Sequence, residues 1–341
     1  MIAQMSRNGA KSRAARATAA GLILSAFCAA NVEAQDRRGA PNLEAFHEHV
    51  DKAKAAAGKD LMSDFYHRCY IEPLYPDSLA KLINGTAAIE PAKVFDNLYF
   101  VGQNAVSSWV IKTSQGLILI DTLNTPDEAK QYIEGGMAKL GLDPTQIKYI
   151  IITHEHADHF GGSKYLQQKY GPNGAHIMAS AAAWKNMPTA NRGAGLDPAH
   201  DMVISDGQKL TLGDTTLDFY VTPGHSEGTI SFTFKTSDNG KPHVVGFMGG
   251  MGSPKLEANR DKIIESYDRW LKISAAAGAD TMVANHQGED HAVENIEFLR
   301  TRRPSDPNPF VLGKDGFRRY FVIQDECAKV DLARNGQKIP Q

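Results

Sequence analysis

The sequence predicts an α/β (α+β) chain built as a four-layer αββα sandwich: two β-sheets face to face, with helices on both outer sides. Short apolar runs separated by turn signals give way to helix-patterned segments, and this order occurs twice, in residues 93–169 and again in 210–300. The size agrees. The chain has 341 residues, 42% hydrophobic and 22% charged, enough for one large domain with a proper core or for two small ones.

The elements follow in order. Residues 35–92 form an N-terminal extension or cap in which Glu44 to Ala57 is helix-prone and Pro41, Pro73, Pro76 and Pro91 break up the rest. Val94-Phe95, Leu98 to Val101, Trp109 to Ile111 and Leu117 to Ile120 are apolar runs with turn signals at Asp96-Asn97 and Ser114-Gln115-Gly116. They predict successive strands of a mostly antiparallel sheet. Thr125 caps a helix, with Pro126 at its first position and Asp127 and Glu128 at the positive end of its dipole. That helix ends near Gly141. Ile147 to Thr153 is a continuous apolar run, as expected for a strand covered on both faces. A helix follows from about Gly162 to Lys169. Leu210 to Leu212, Thr216 to Val221, Thr229 to Phe234 and His243 to Phe247 are the strands of the second half. Helices are expected over Ile263 to Ala277 and Val293 to Arg300, with a strand at Thr281 to Ala284 between them. Asn186 to Asp201 and Gly249 to Asn259 read as long loops of the kind that often carry function. The main domain therefore covers 93–303, and residues 304–341 form a linker and a last helix from about Arg318 to Ala333.

A formal net charge of −2 gives no nucleic-acid footprint. Residues 1–34 have the three parts of a secretory signal: basic Arg7, Lys11, Arg13 and Arg16, an apolar run Ala19 to Ala30, and Val32-Glu33-Ala34 before the cleavage point. The mature protein is expected to be periplasmic or secreted, with no membrane segment after cleavage. Cleavage removes Cys28 and leaves Cys69 and Cys327, which an oxidising compartment invites to pair. The alternative is two buried free thiols.

Twelve histidines against three cysteines point to any metal site being built from imidazole and carboxylate. The informative stretch is His154-Glu155-His156-Ala157-Asp158-His159-Phe160-Gly161-Gly162, placed between a buried strand and a helix. His154 and His156 are two apart and point the same way from an extended backbone. Asp158 and His159 continue into the turn, so one loop can feed two neighbouring metal positions. His225, in Thr222-Pro223-Gly224-His225, and His286, in Asn285-His286-Gln287-Gly288, also stand at strand ends. His291 is the nearest rival to His286.

The stretch at 154–162, Pro223-Gly224-His225 and the run Leu117 to Asp121 together resemble the metallo-β-lactamase superfamily over about residues 93–300. The pattern is most similar to the third subclass of the zinc β-lactamases. The resemblance implies the metallo-β-lactamase fold and two zinc ions per chain, with His154, His156 and His225 on the first and Asp158, His159 and His286 on the second. It implies that Asp121 steadies the site from behind, and that Asp158 orients the attacking water and handles its proton. It also implies a hydrolase that attacks an amide carbonyl of a small molecule, a β-lactam first, with a lactonase or esterase on the same scaffold as the alternative. Members acting on lactones and thioesters place an Asp between the third and last histidines. Here that stretch is Gly246-Phe247-Met248-Gly249-Gly250-Met251-Gly252, without a carboxylate. Two departures bear on the substrate. Asn285 and Gln287 flank His286 where lactamases have a Pro-flanked form. Gly-Gly-Met stands where some members carry a serine that orients antibiotic carboxylates.

Overall fold

The computed structural model describes residues 40–75, 88–252 and 257–340. The expected signal segment and Cys28 lie outside them. Seven strands stand in chain order in the first sheet: β1 (Ala92–Lys93), β2 (Leu98–Phe100), β3 (Trp109–Thr113), β4 (Gly116–Ile120), β5 (Ile147–Ile151), β6 (His176–Ser180) and β7 (Met202–Ile204). The second sheet runs β12-β11-β10-β9-β8, from β8 (Lys209–Leu212), β9 (Thr215–Val221), β10 (Ile230–Asp238), β11 (Lys241–Met248) and β12 (Thr281–Met282).

Alternation along the strands sorts the core into three layers. On β3 and β4, Trp109, Ile111, Ile118 and Ile120 point between the sheets to meet Phe219, Phe232, Val245 and Phe247. Their neighbours Val110, Leu117 and Leu119 point outward, where Ile133, Met137, Leu166 and Trp184 come from the covering helices. A third cluster lies outside the second sheet, with Ile263, Tyr267 and Trp270 from the Glu257–Ala277 helix and Phe317 and Phe321 from the Gly313–Arg334 helix. This is the αββα sandwich.

The first sheet departs from the expected pairing. Strands β1 to β4 are antiparallel, but β4 to β7 are parallel. After β4 the chain returns each time through helical segments, and such crossovers make parallel neighbours. Strands β6 and β7 were not anticipated. His176-Ile177-Met178-Ala179-Ser180 holds a single β-branched residue, so its strand character comes from burial between layers and not from propensity. The capped helix from Pro126 is as expected at its start, with Thr125 Oγ1 accepting from Glu128 N, but its middle turn, Ala129–Glu134, widens into a π-helix.

The N-terminal extension is built into the outer helical layer. Ala53 and Ala57 of the Leu43–Ala57 helix, with Leu61, Phe65 and Cys69, are buried against Phe321, Cys327 and Ala328. Met62–Tyr66, the π-turn His67–Ile71 and Glu72–Leu74 follow as one continuous helical run. A Cys69–Cys327 disulfide ties this run to the C-terminal helix across 258 positions. So long a loop restricts the unfolded chain strongly, and the bond is expected to contribute about 2–5 kcal/mol. The Cys69→Ala/Cys327→Ala double variant is therefore expected to melt roughly 5–10 °C lower. An unchanged melting temperature would show that the bond adds nothing to the fold's stability.

Candidate metal centre

All six expected ligands converge at one edge of the sandwich, where loops leave the strand ends. His154 follows β5 through Ile152 and Thr153, and His156 caps a short helix, Ala157–Phe160, that carries Asp158 and His159. That helix stands where only a turn was expected. It presents Asp158 and His159 away from His156 and so separates the ligands into two sets. His225 follows β9, and His286 follows β12.

In the first set, His154 Nε2, His156 Nδ1 and His225 Nε2 form a triangle with edges of 3.0, 3.1 and 3.2 Å. In the second, His159 Nε2 lies 3.2 Å from His286 Nε2, and Asp158 Oδ2 lies 3.5 and 3.7 Å from these nitrogens. The sets adjoin: the rings of His154 and His159 are 4.1 Å apart, centre to centre. Three nitrogens each about 2.0–2.1 Å from a tetrahedral zinc would stand about 3.3 Å from one another.

The backs of the rings decide what these nitrogens can be. His225 Nδ1 donates to the Gly252 carbonyl at 2.9 Å, and His286 Nδ1 to the Ala105 carbonyl at 3.0 Å. The Thr153 hydroxyl donates to Asp121 Oδ2 at 2.8 Å, so at 3.2 Å it accepts from His154 Nδ1. His159 Nδ1 donates to Asp121 Oδ2 at 2.8 Å. The facing Nε2 atoms of His154, His225 and His286, whose rings burial keeps neutral, are then bare acceptors. Acceptors pressed together in this way call for a cation between them. Charge agrees. Burial, reinforced by the neighbouring rings, holds His154 well below the usual imidazole range and His225 at about 3. For His159, burial opposes charge, yet Asp158 and Asp121 outweigh it and push the ring up to about 10. The second set thus favours positive charge at its centre. The donor chemistry and the spacing both fit zinc.

The support behind the ligands is dense. Asp121 is fully buried, and its φ of 57° places it in the left-handed region, a strained conformation for a residue with a side chain. One carboxylate there accepts from Thr153 N, Thr153 Oγ1 and His159 Nδ1, and so serves both sets. Glu155 points the other way from its histidine neighbours and accepts from Ser226 Oγ at 2.7 Å and from Gly228 N, locking the His225 loop to the His154 loop. Asn285 donates to Thr153 Oγ1 and to the Gly249 carbonyl. Sequence reasoning missed Glu155 and Ser226. The one available signal was an acidic residue between two histidines on an extended segment, which must face away from them. His291 does not join the centre; its Nε2 pairs with Asp64 at 3.1 Å.

Gly224 sets the direction of His225. Its φ is 143°, and a Cβ there would lie 2.4 Å from Ile263 Cα in the neighbouring helix. Gly224→Ala is expected to cost ~2–4 kcal/mol through strain and clash. A denaturant melt of the variant within about 0.5 kcal/mol of the parent would contradict this.

Residues 101–238 match the pattern of the metallo-beta-lactamase superfamily. The fold is similar to BJP-1, a subclass B3 metallo-beta-lactamase of Bradyrhizobium japonicum, at 28% identity and a TM-score of 0.61, covering 74% of this chain and 96% of that one. It is also similar to FEZ-1 from Legionella gormanii, at 25% identity and a TM-score of 0.61, covering 72% and 96%. Among curated proteins, a hydroxyacylglutathione hydrolase of Cereibacter sphaeroides is 25% identical over 171 residues, half of this chain and 59% of that protein's length. A probable metallo-hydrolase, YqgX of Bacillus subtilis, is 26% identical over 223 residues, covering 62% of this chain and 95% of that protein. Residues 101–238 form a domain of the metallo-β-lactamase superfamily, and the structural neighbours of the fold are subclass B3 metallo-β-lactamases.

Proposed function

We propose that this chain is a dizinc hydrolase of the β-lactamase type, cleaving the amide of a β-lactam or a closely related small cyclic carbonyl compound. The observation that carries the reading is the pair of adjoining three-ligand sets with no further carboxylate joining them among the described residues. In the resemblance drawn from the sequence, a bridging Asp marks the lactone- and thioester-cleaving members; here Gly249 and Gly250 occupy that stretch, with Gly250 against the His225 ring.

His154, His156 and His225 would hold one zinc and Asp158, His159 and His286 the other. Two such ions, when bound, supply Lewis-acid activation of water and of the substrate carbonyl. The chain's own residues do the rest. Asp121, through His159 and Thr153, fixes which ring nitrogens face inward. Asp158 is held well below the usual carboxylate range because His159, His156 and His286 outweigh the effect of its burial, so it stays ionised. An ionised carboxylate at this position, its side chain 19% exposed, can accept a hydrogen bond from a water at the mouth and take its proton. His156, the exposed ligand, marks the side from which substrate arrives.

Export is part of the same proposal. The N-terminal signal pattern supports it, and so does the Cys69–Cys327 disulfide, a bond of oxidising compartments. No described helix is long and apolar enough to cross a membrane.

The hydroxyacylglutathione hydrolases among the relatives favour a second reading, an ester or thioester hydrolase on the same centre. A panel of penicillin, cephalosporin, carbapenem, lactone and thioester substrates, with and without chelator, tests the choice. Chelator-sensitive turnover of a β-lactam above the esters is the expected result. Turnover confined to lactones or thioesters would overturn the β-lactamase reading.

A further inference from the structure

We infer that Arg68, on the N-terminal extension, is a positioning residue for the His154/His156/His225 metal set. Arg68 lies outside the segment that matches the superfamily pattern, yet it is 5% exposed in the middle of the outer helical layer. Its guanidinium donates to the Met251 carbonyl, to Glu72 and, at 3.1 Å, to the Tyr267 hydroxyl. Tyr267 also donates to the Met251 carbonyl, at 2.6 Å. Two donors from different elements therefore clamp a single peptide carbonyl. The next carbonyl along, that of Gly252, accepts the Nδ1 hydrogen of His225. That bond decides which His225 nitrogen faces the triangle. The clamp and the ligand are thus one residue apart on a loop of Gly249, Gly250, Met251 and Gly252, where three glycines lend the backbone no stiffness of their own.

The turn carrying Arg68 is itself anchored. Cys69 is bonded to Cys327, and the Cys69 carbonyl accepts from Arg334 Nη2 at 2.6 Å. Docking of the extension and placement of His225 are in this way joined through one guanidinium. Partners behind a metal-bound histidine typically matter by 10–100-fold in metal affinity.

The inference rests on the metal-centre reading above, and the experiment separates the two. Zinc affinity is measured on the full chain by competition with a chromophoric chelator, for the parent, Arg68→Met, Arg68→Lys and Tyr267→Phe. Arg334→Met serves as control, because it loosens the same turn without touching Met251. We expect Arg68→Met to weaken one zinc equivalent about 10–100-fold and leave the other within about twofold. Tyr267→Phe should weaken the same equivalent less, and Arg68→Lys should restore part of the loss. If Arg334→Met has the same effect as Arg68→Met, Arg68 only docks the extension and the inference fails. It fails also if Tyr267→Phe and Arg68→Met both bind as the parent does. Should Arg68→Met not fold, Tyr267→Phe against Arg334→Met decides alone. A parent that binds no zinc would instead sink the metal-centre reading.

Discussion

Replacing His156 by alanine is expected to abolish hydrolysis and zinc binding at the first set together. The triangle of His154, His156 and His225 would lose two of its three edges, leaving two imidazoles. Two nitrogen donors fall short of the three protein ligands that catalytic zinc sites keep. His156 is exposed and lends the core nothing, so the fold should survive the change and its melting temperature should move little. Lewis-acid stabilisation is worth several kcal/mol, which corresponds to a rate loss of roughly 10³-fold or more. Turnover and elemental analysis on the same preparation check both halves. Full activity with two zincs retained would remove His156 from the centre.

Asp158→Asn separates the two sets. Asn keeps the shape of the side chain but removes the negative charge that faces His159 and His286. The second set would then offer two neutral nitrogens and a weak amide oxygen. Zinc content is expected to fall from two equivalents to one, the remaining one bound as in the parent, with second-site affinity down ~10²-fold or more. Activity should fall steeply, because the group proposed to orient and deprotonate water is lost along with the ion. Two tightly held equivalents in this variant would count against the assignment of Asp158 to that set.

The parts of the centre that could be read in advance are those written locally. His154, His156, Asp158 and His159 lie within six positions, and the two-residue spacing on an extended backbone puts His154 and His156 on one side. His225 and His286 were readable as histidines at strand ends followed by glycine or a turn. The packing of the two sheets followed from strands giving way to helices twice along the chain, while runs such as Trp109 to Ile111 and Leu117 to Ile120 are apolar at every position because both of their faces are covered. What stayed hidden is long-range. Glu155 gains its meaning only when Ser226 and Gly228 arrive beside it, 71 and 73 positions away. Arg68 meets Met251 across 183 positions. Strand β6 has little propensity of its own and exists because the sheet and its helices bury it. The short helix at Ala157–Phe160 was read as a turn, although it is what divides the ligands into two sets.

Anomalous diffraction at the zinc edge, from crystals grown with zinc, tests the central claim most directly. Two peaks per chain are predicted, one within reach of His154 Nε2, His156 Nδ1 and His225 Nε2, the other facing Asp158, His159 and His286. A single peak shared by all six side chains, or peaks only at other residues, would contradict it.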